Sequence, residues 1–408
     1  TAKGKGRLSI KLAKNWTAQA YFDFDGSGET QVFRADAPKP ANVQVNVAIT
    51  ASDAADPIHD VRFVAPDADD GATFTRPTLD DLRGFAILRF MDSRAINNST
   101  HVEWSDYLDS MAGPTNHGRG WPLEDCAALA NEVEADPWFC IPHKASDDYV
   151  RKMARAIDTA LSPERAIYIE WSNEVWNGIF QQYSWSRNDY LAQPDPKPSL
   201  FTYQGMLAAR KINLFRESVC PRRKVVRVVS AQAAWYGAAK ETFVGAASAG
   251  GFDAIACAPY FDSAQAAADV KAQAEAYKAA DDTGRAAIVG DFIAKVHEAL
   301  TAKRALFAEW SKIAKLHGVP LLAYEGGHHL TPGGNALYTP LYAAVNADPR
   351  FHAAYARYFA DAEAEGFAAL VHYNSVSING NNGLWGLKEY PGQPATPKSL
   401  AVDLFKGR

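Results

Sequence analysis

Two glutamates in this chain close apolar, β-prone runs: Glu174 in Ser172-Asn173-Glu174-Val175-Trp176-Asn177, and Glu325 in Tyr324-Glu325-Gly326-Gly327. One member of a carboxyl pair can protonate a leaving oxygen while the other stabilises or captures an electron-poor carbon. Hydrolysis of a glycosidic bond needs that division of labour, with the two groups on opposite faces of the sugar. Either short motif alone says little, because carboxylates also cap helix N-termini and pair with cations. Their meaning depends on the elements that position them.

From about residue 58 onward, apolar β-type runs alternate with Ala-rich stretches of helical period, the pattern of βα repeats around a parallel sheet. Eight runs can be counted: 61–66, 85–90, 137–142, 166–172, 225–231, 253–260, 320–325 and 368–374. Helical segments separate them, including a long Ala/Lys/Glu-rich stretch from Ser263 to Leu316. The expected fold class is therefore α/β, a (β/α)8 TIM barrel over residues 58–408. A doubly wound open sheet is the weaker alternative, since no Gly-rich phosphate loop follows the first run. Residues 1–57 instead alternate short β-prone runs with Gly, Pro and Asp turns, and read as a small N-terminal all-β module of antiparallel strands. That module could bind sugar or merely brace the barrel.

Active sites of such barrels lie at the carboxyl ends of the strands. Glu174 then follows the fourth run and Glu325 ends the seventh, so both carboxyls would meet at one barrel mouth. In this respect the chain resembles the clan of retaining (β/α)8-barrel glycoside hydrolases, cellulase- and endoglycanase-like, which carry Asn-Glu after strand four and Glu on strand seven. The resemblance implies Glu174 as acid/base and Glu325 as nucleophile. It further implies that Arg89, near the end of the second run, lies near the nucleophile and helps keep it ionised, since a neighbouring cation lowers a carboxylate pKa. By the same resemblance Tyr260 hydrogen-bonds the nucleophile, Asn173 binds a sugar 2-hydroxyl, and Trp385 floors the subsite where cleavage occurs. The clan's geometry further implies carboxyls about 5–5.5 Å apart, too close to admit an attacking water, so the product should retain its anomeric configuration. No metal or organic cofactor enters this scheme.

Other residues carry two readings each. Arg89 could instead neutralise Glu170 inside the barrel, where a structural role for Glu170 is favoured. His143 ends the third run and either binds sugar hydroxyls or is a satisfied structural histidine. His328 and His329 follow the nucleophile; His328 is a candidate sugar contact, and a metal role lacks further ligands at suitable spacing. The stretch Asp23 to Glu29 resembles half a calcium loop, but a hairpin turn explains it better. Trp176 and Trp235 are the foremost of several tryptophans, with Trp104, Trp121, Trp171 and Trp185, that could stack on sugar rings or simply fill the core.

Bulk properties exclude more than they assign. A formal charge of -5 offers no field for nucleic acid or anionic membrane, and no apolar run is long enough to span a bilayer. The start lacks the apolar core of a signal peptide, so a secreted or periplasmic location presupposes its removal. The four cysteines form no C-x-x-C pair and read as structural, more plausibly free thiols than disulfides. The expected partner is a polysaccharide or oligosaccharide, β-linked and attacked within the chain. A barrel that binds polysaccharide without cleaving it, or one with lyase chemistry, is the alternative. Which glycan is cleaved is left open.

Overall fold

A computed structural model describes residues 3–12, 19–26, 45–59, 61, 72–111 and 120–406. The chain divides into two compact units, Thr1–Thr78 and Leu79–Arg408. The first contains a three-stranded antiparallel sheet of β1 (Lys5–Leu12), β2 (Gln19–Asp25) and β3 (Val45–Ser52), in the order β2-β1-β3. Alternation along β1 turns Leu8 and Ile10 inward, and Leu8 packs with Phe24, Ile58 and Val61. The first run expected of the barrel, 61–66, lies outside the described residues save Val61, as does the Ser27–Glu29 end of the calcium-like stretch.

The second unit is built on seven parallel strands: β4 (Ile87–Phe90), β5 (Asp136–Ile141), β6 (Ile167–Trp171), β7 (Val225–Ser230), β8 (Ala254–Cys257), β9 (Leu321–Ala323) and β10 (Phe367–Leu370). They answer to the second through eighth expected runs. Spatial order follows chain order from β4 to β10 without reversal. A doubly wound sheet reverses at a switch point, so that alternative is not the fold. Helices connect successive strands, among them Leu123–Glu132, Asp147–Ala160, Leu200–Ser218 and Tyr236–Ser248. The Ala-rich stretch before β9 forms two helices, Ala267–Ala279 and Asp282–His317, because Asp281 accepts from Gly284 N at 2.8 Å and caps a new start.

The sheet is strongly curled. One cluster takes in Trp138, Val228, Ala254, Ala256, Leu322 and Tyr324, with Ile87, Tyr168, Val226, Ala258, Ala369 and Val371 packed against it. Every one of the seven strands contributes, so their inner faces surround a common core. An independent distance agrees. β4 and β9 stand five places apart in the sheet, which would separate them by about 24 Å if it were flat. Yet Arg89 on β4 reaches Glu325, just past β9, at 2.8 Å.

Candidate active site

Side-chain alternation fixes what lies above that core. Two residues beyond the inward Ile87, Tyr168, Val228 and Leu322 come Arg89, Glu170, Ser230 and Tyr324, which form the next inward layer toward the carboxyl ends of the strands. Arg89 is its hub. Its guanidinium donates through Nη2 to Glu170 Oε2 at 2.9 Å and to Asn173 Oδ1 at 2.9 Å, and through Nη1 to Glu325 Oε1 at 2.8 Å. It lies against the rings of Tyr324, 4.9 Å from the centroid, and Trp138, at 5.6 Å. The two readings of Arg89 are thus both realised, because one planar fork serves both carboxylates. Glu170 is 1 % exposed and also accepts from Trp138 Nε1 at 3.1 Å and from the Ser230 hydroxyl. Those partners make it a structural counter-ion.

Glu325 accepts from Tyr260 Oη at 2.9 Å, the contact that the resemblance implies. Burial nevertheless pushes Glu325 up to about 7, although Arg89 and the Tyr260 hydrogen bond pull the other way. Arg89 thus helps the carboxylate form of Glu325, as a neighbouring cation does, while desolvation acts more strongly in the opposite direction. Glu174, half-buried, accepts from Tyr324 Oη at 3.0 Å and from Asn177 Nδ2 at 2.9 Å. Burial raises its pKa as well, against both of those hydrogen bonds. Two carboxyls therefore face one site, each biased toward holding a proton at a pH where an ordinary glutamate has lost it.

The segment after β6 holds its shape through backbone that side chains normally avoid. Ser172 has φ 60° and Glu174 φ 43°, both left-handed, a conformation that costs a non-glycine residue on the order of 1 kcal/mol. Surrounding bonds offset it: Ser172 N donates to Ile141 O at 2.7 Å, Gln182 Nε2 to Asn173 O at 2.8 Å, and Asn177 N to Glu174 O at 2.8 Å. Asn173, 2 % exposed, also donates from Nδ2 to Asn97 Oδ1 at 3.1 Å. Its amide oxygen and one amide hydrogen are thus committed to the protein. After Glu325 the chain passes so close to its neighbours that side chains would collide: a Cβ on Gly326 would stand 2.6 Å from Tyr358 Oη, and one on Gly327 (φ +113°) 2.7 Å from His372 Nε2.

The remaining sequence candidates separate into two groups. Trp385 is partly buried and packs edge-on against Tyr373 with centroids 5.6 Å apart; Tyr373 in turn packs edge-on against Tyr260 at 6.4 Å. Trp235, 54 % exposed, packs edge-on against Phe201 at 4.7 Å. Trp176 is half-buried. His328 is not a ligand contact: it is 1 % exposed, accepts from Leu330 N through Nδ1 at 3.1 Å and bonds Leu384 O through Nε2 at 2.9 Å. His143 is wholly buried beneath the edge of Trp185, and burial pushes it down to about 4, so it is a neutral ring closed off from solvent. Sequence reading gave no role to Tyr324, Asn177, Ser230 or to Tyr373, whose hydroxyl donates to Asp92 Oδ2. Ser230 and Tyr324 could have been found by counting two residues on from inward apolar positions, but Tyr373 and Asp92 meet only through the curl of the sheet.

Neither a comparison with protein-family models nor one with curated protein sequences finds a match to this chain.

Proposed function

We propose that the Leu79–Arg408 unit is a retaining glycoside hydrolase of β-linked polysaccharide or oligosaccharide, and that its curled parallel sheet belongs to a (β/α)8 barrel. One observation carries this reading: Glu325 held by Arg89 and Tyr260, and Glu174 held by Tyr324, converge although Tyr324 and Glu174 are 150 residues apart in the chain. A structural ion pair would need one carboxylate for Arg89, and Glu170 already supplies it.

Glu325 then attacks the anomeric carbon while Glu174 gives its proton to the departing glycosidic oxygen, leaving a glycosyl ester on Glu325. Glu174, now ionised, takes a proton from water, whose oxygen displaces the ester from the sugar and restores Glu325. Two inversions yield net retention. The Tyr260 and Arg89 hydrogen bonds favour Glu325 as carboxylate, the form that attacks and the form that leaves. Trp385 beside Tyr373 offers flat surface for the sugar being cleaved, and the exposed Trp235 with Phe201 offers a second platform, in keeping with endo attack on an extended chain. Such a substrate would place the enzyme outside the cytoplasm.

Reducing-end release from a panel of purified β-glucans, mannans, xylans and acidic glycans tests the reading. Cleavage of at least one by the wild type, reduced more than about 10³-fold in Glu174→Gln and Glu325→Gln, is expected. Product anomers followed by NMR should show retention. Binding without cleavage on every glycan, or equal activity in all three proteins, would sink the assignment, and clear inversion would sink the double displacement.

A further inference from the structure

Tyr324 touches both halves of the site. Its ring is fully buried in the inner cluster of the sheet with Leu322 and Trp138, and the Arg89 guanidinium lies over it at 4.9 Å from the centroid, so packing restricts where the hydroxyl can go. That hydroxyl donates to Glu174 Oε1 at 3.0 Å, while Asn177 Nδ2 donates to Oε2 at 2.9 Å. A carboxylate gripped at both oxygens cannot rotate freely about its own axis. Asn177 belongs to the same turn as Glu174 and moves with it. Tyr324 belongs to another strand end and does not.

Tyr324 is also joined by a single peptide bond to Glu325, whose Cα therefore lies ~3.8 Å from its own. We propose that Tyr324 is the positioning residue of the Glu174 carboxyl, fixing its orientation and its proton affinity and setting its spacing from Glu325. Its hydrogen bond favours the ionised form of Glu174 and opposes the effect of burial on that carboxyl. The cation over the ring face draws electron density from the phenol and strengthens it as a donor. The kinetic consequences rest on the hydrolase reading; the structural claim does not.

The test uses the whole chain, with ¹³C-labelled glutamate carboxyls titrated by NMR and the Glu174 signal assigned by its loss in Glu174→Gln. Tyr324→Phe keeps the ring and its packing but removes the donor, and should raise the Glu174 midpoint by about one unit. Replacing Tyr324 by 3-fluorotyrosine, a more acidic phenol and better donor, should move the midpoint down, which no general loosening of the fold would do. In the kinetics, the basic limb of kcat/KM should follow the same two directions, with the optimum for Tyr324→Phe lowered about tenfold. A Glu174 midpoint that stays put in both variants overturns the inference, and should Tyr324→Phe fail to fold, an unmoved midpoint in the fluorotyrosine protein does so alone. Opposite shifts in a protein that cleaves no glycan uphold the positioning role and overturn the hydrolase reading.

Discussion

Arg89 brings one positive charge to a site that holds Glu170, Glu174 and Glu325. Were all three ionised, the cluster would carry excess negative charge in a place with little water, so retaining a proton relieves it. Desolvation by burial is the main physical basis of the raised Glu325 value, the neighbouring Glu174 charge adds to it, and together they make stability depend on pH. Glu325 rises from 4.5 to about 7 on folding, so the folded state prefers the neutral carboxyl. Stability from that preference is fully present below about 4.5 and is lost as pH climbs through about 7. Above it the folded protein bears a cost of up to about 3 kcal/mol. Glu325→Gln, neutral at every pH, should therefore unfold at higher urea than the wild type at pH 8 and show no such gain at pH 4. Equal midpoints at both pH values would mean that Glu325 is not held neutral by burial. On the hydrolase reading proposed above, such a residue would trade stability for catalysis.

At the scale of elements, the helices Leu200–Ser218 and Tyr236–Ser248 set a sharp test of packing against propensity. They cross backbone to backbone at two glycines: a Cβ on Gly205 would stand 1.9 Å from Thr242 O, and one on Gly245 2.0 Å from Thr202 O. Helix propensity alone says that Gly205→Ala should stabilise by about 1 kcal/mol. Packing says the reverse, because the helices would have to part by more than an ångström along a contact that flanks β6 and β7. We expect packing to win and urea unfolding of Gly205→Ala to show a loss of about 2–3 kcal/mol; a gain would mean the crossing is looser than described. Helix periods were legible in the sequence because burial on one face leaves a 3.6-residue trace. The glycines of the crossing were not, since a missing side chain leaves no period and its reason lies on the partner helix. Likewise His328 looked available to a ligand because it follows Glu325, but Leu330 and Leu384 claim both of its nitrogens.

At the scale of the whole molecule, the layers of the curled sheet decide which groups solvent can reach. Cys126, Cys140 and Cys257 are buried free thiols, and only Cys220 among the four lies exposed. Burial drives Cys126 up to about 12 and holds Cys257 well above the ordinary thiol range, which removes the reactive thiolate as well as access. Titration of the reduced native protein with an aromatic disulfide reagent should accordingly find one fast thiol, rising to four in guanidinium. More than one fast thiol in the native state would contradict the packing of the helix Leu123–Glu132, β5 or β8, which bear Cys126, Cys140 and Cys257.

By itself the sequence determined the run of seven described strands, the helices between them and the positions of Glu174 and Glu325 at strand ends, because alternation and period are local consequences of burying one face. The nearness of Arg89 and Tyr260 to Glu325 was an implication of the family resemblance rather than of the pattern itself. Only the tertiary structure decided how these charges are shared. Glu170 and Glu325 divide one guanidinium, Tyr324 holds Glu174 from across the sheet, and burial outweighs Arg89 at Glu325. Such effects depend on distance and desolvation summed over residues up to 236 positions apart, as with Arg89 and Glu325. A linear pattern carries no record of that sum.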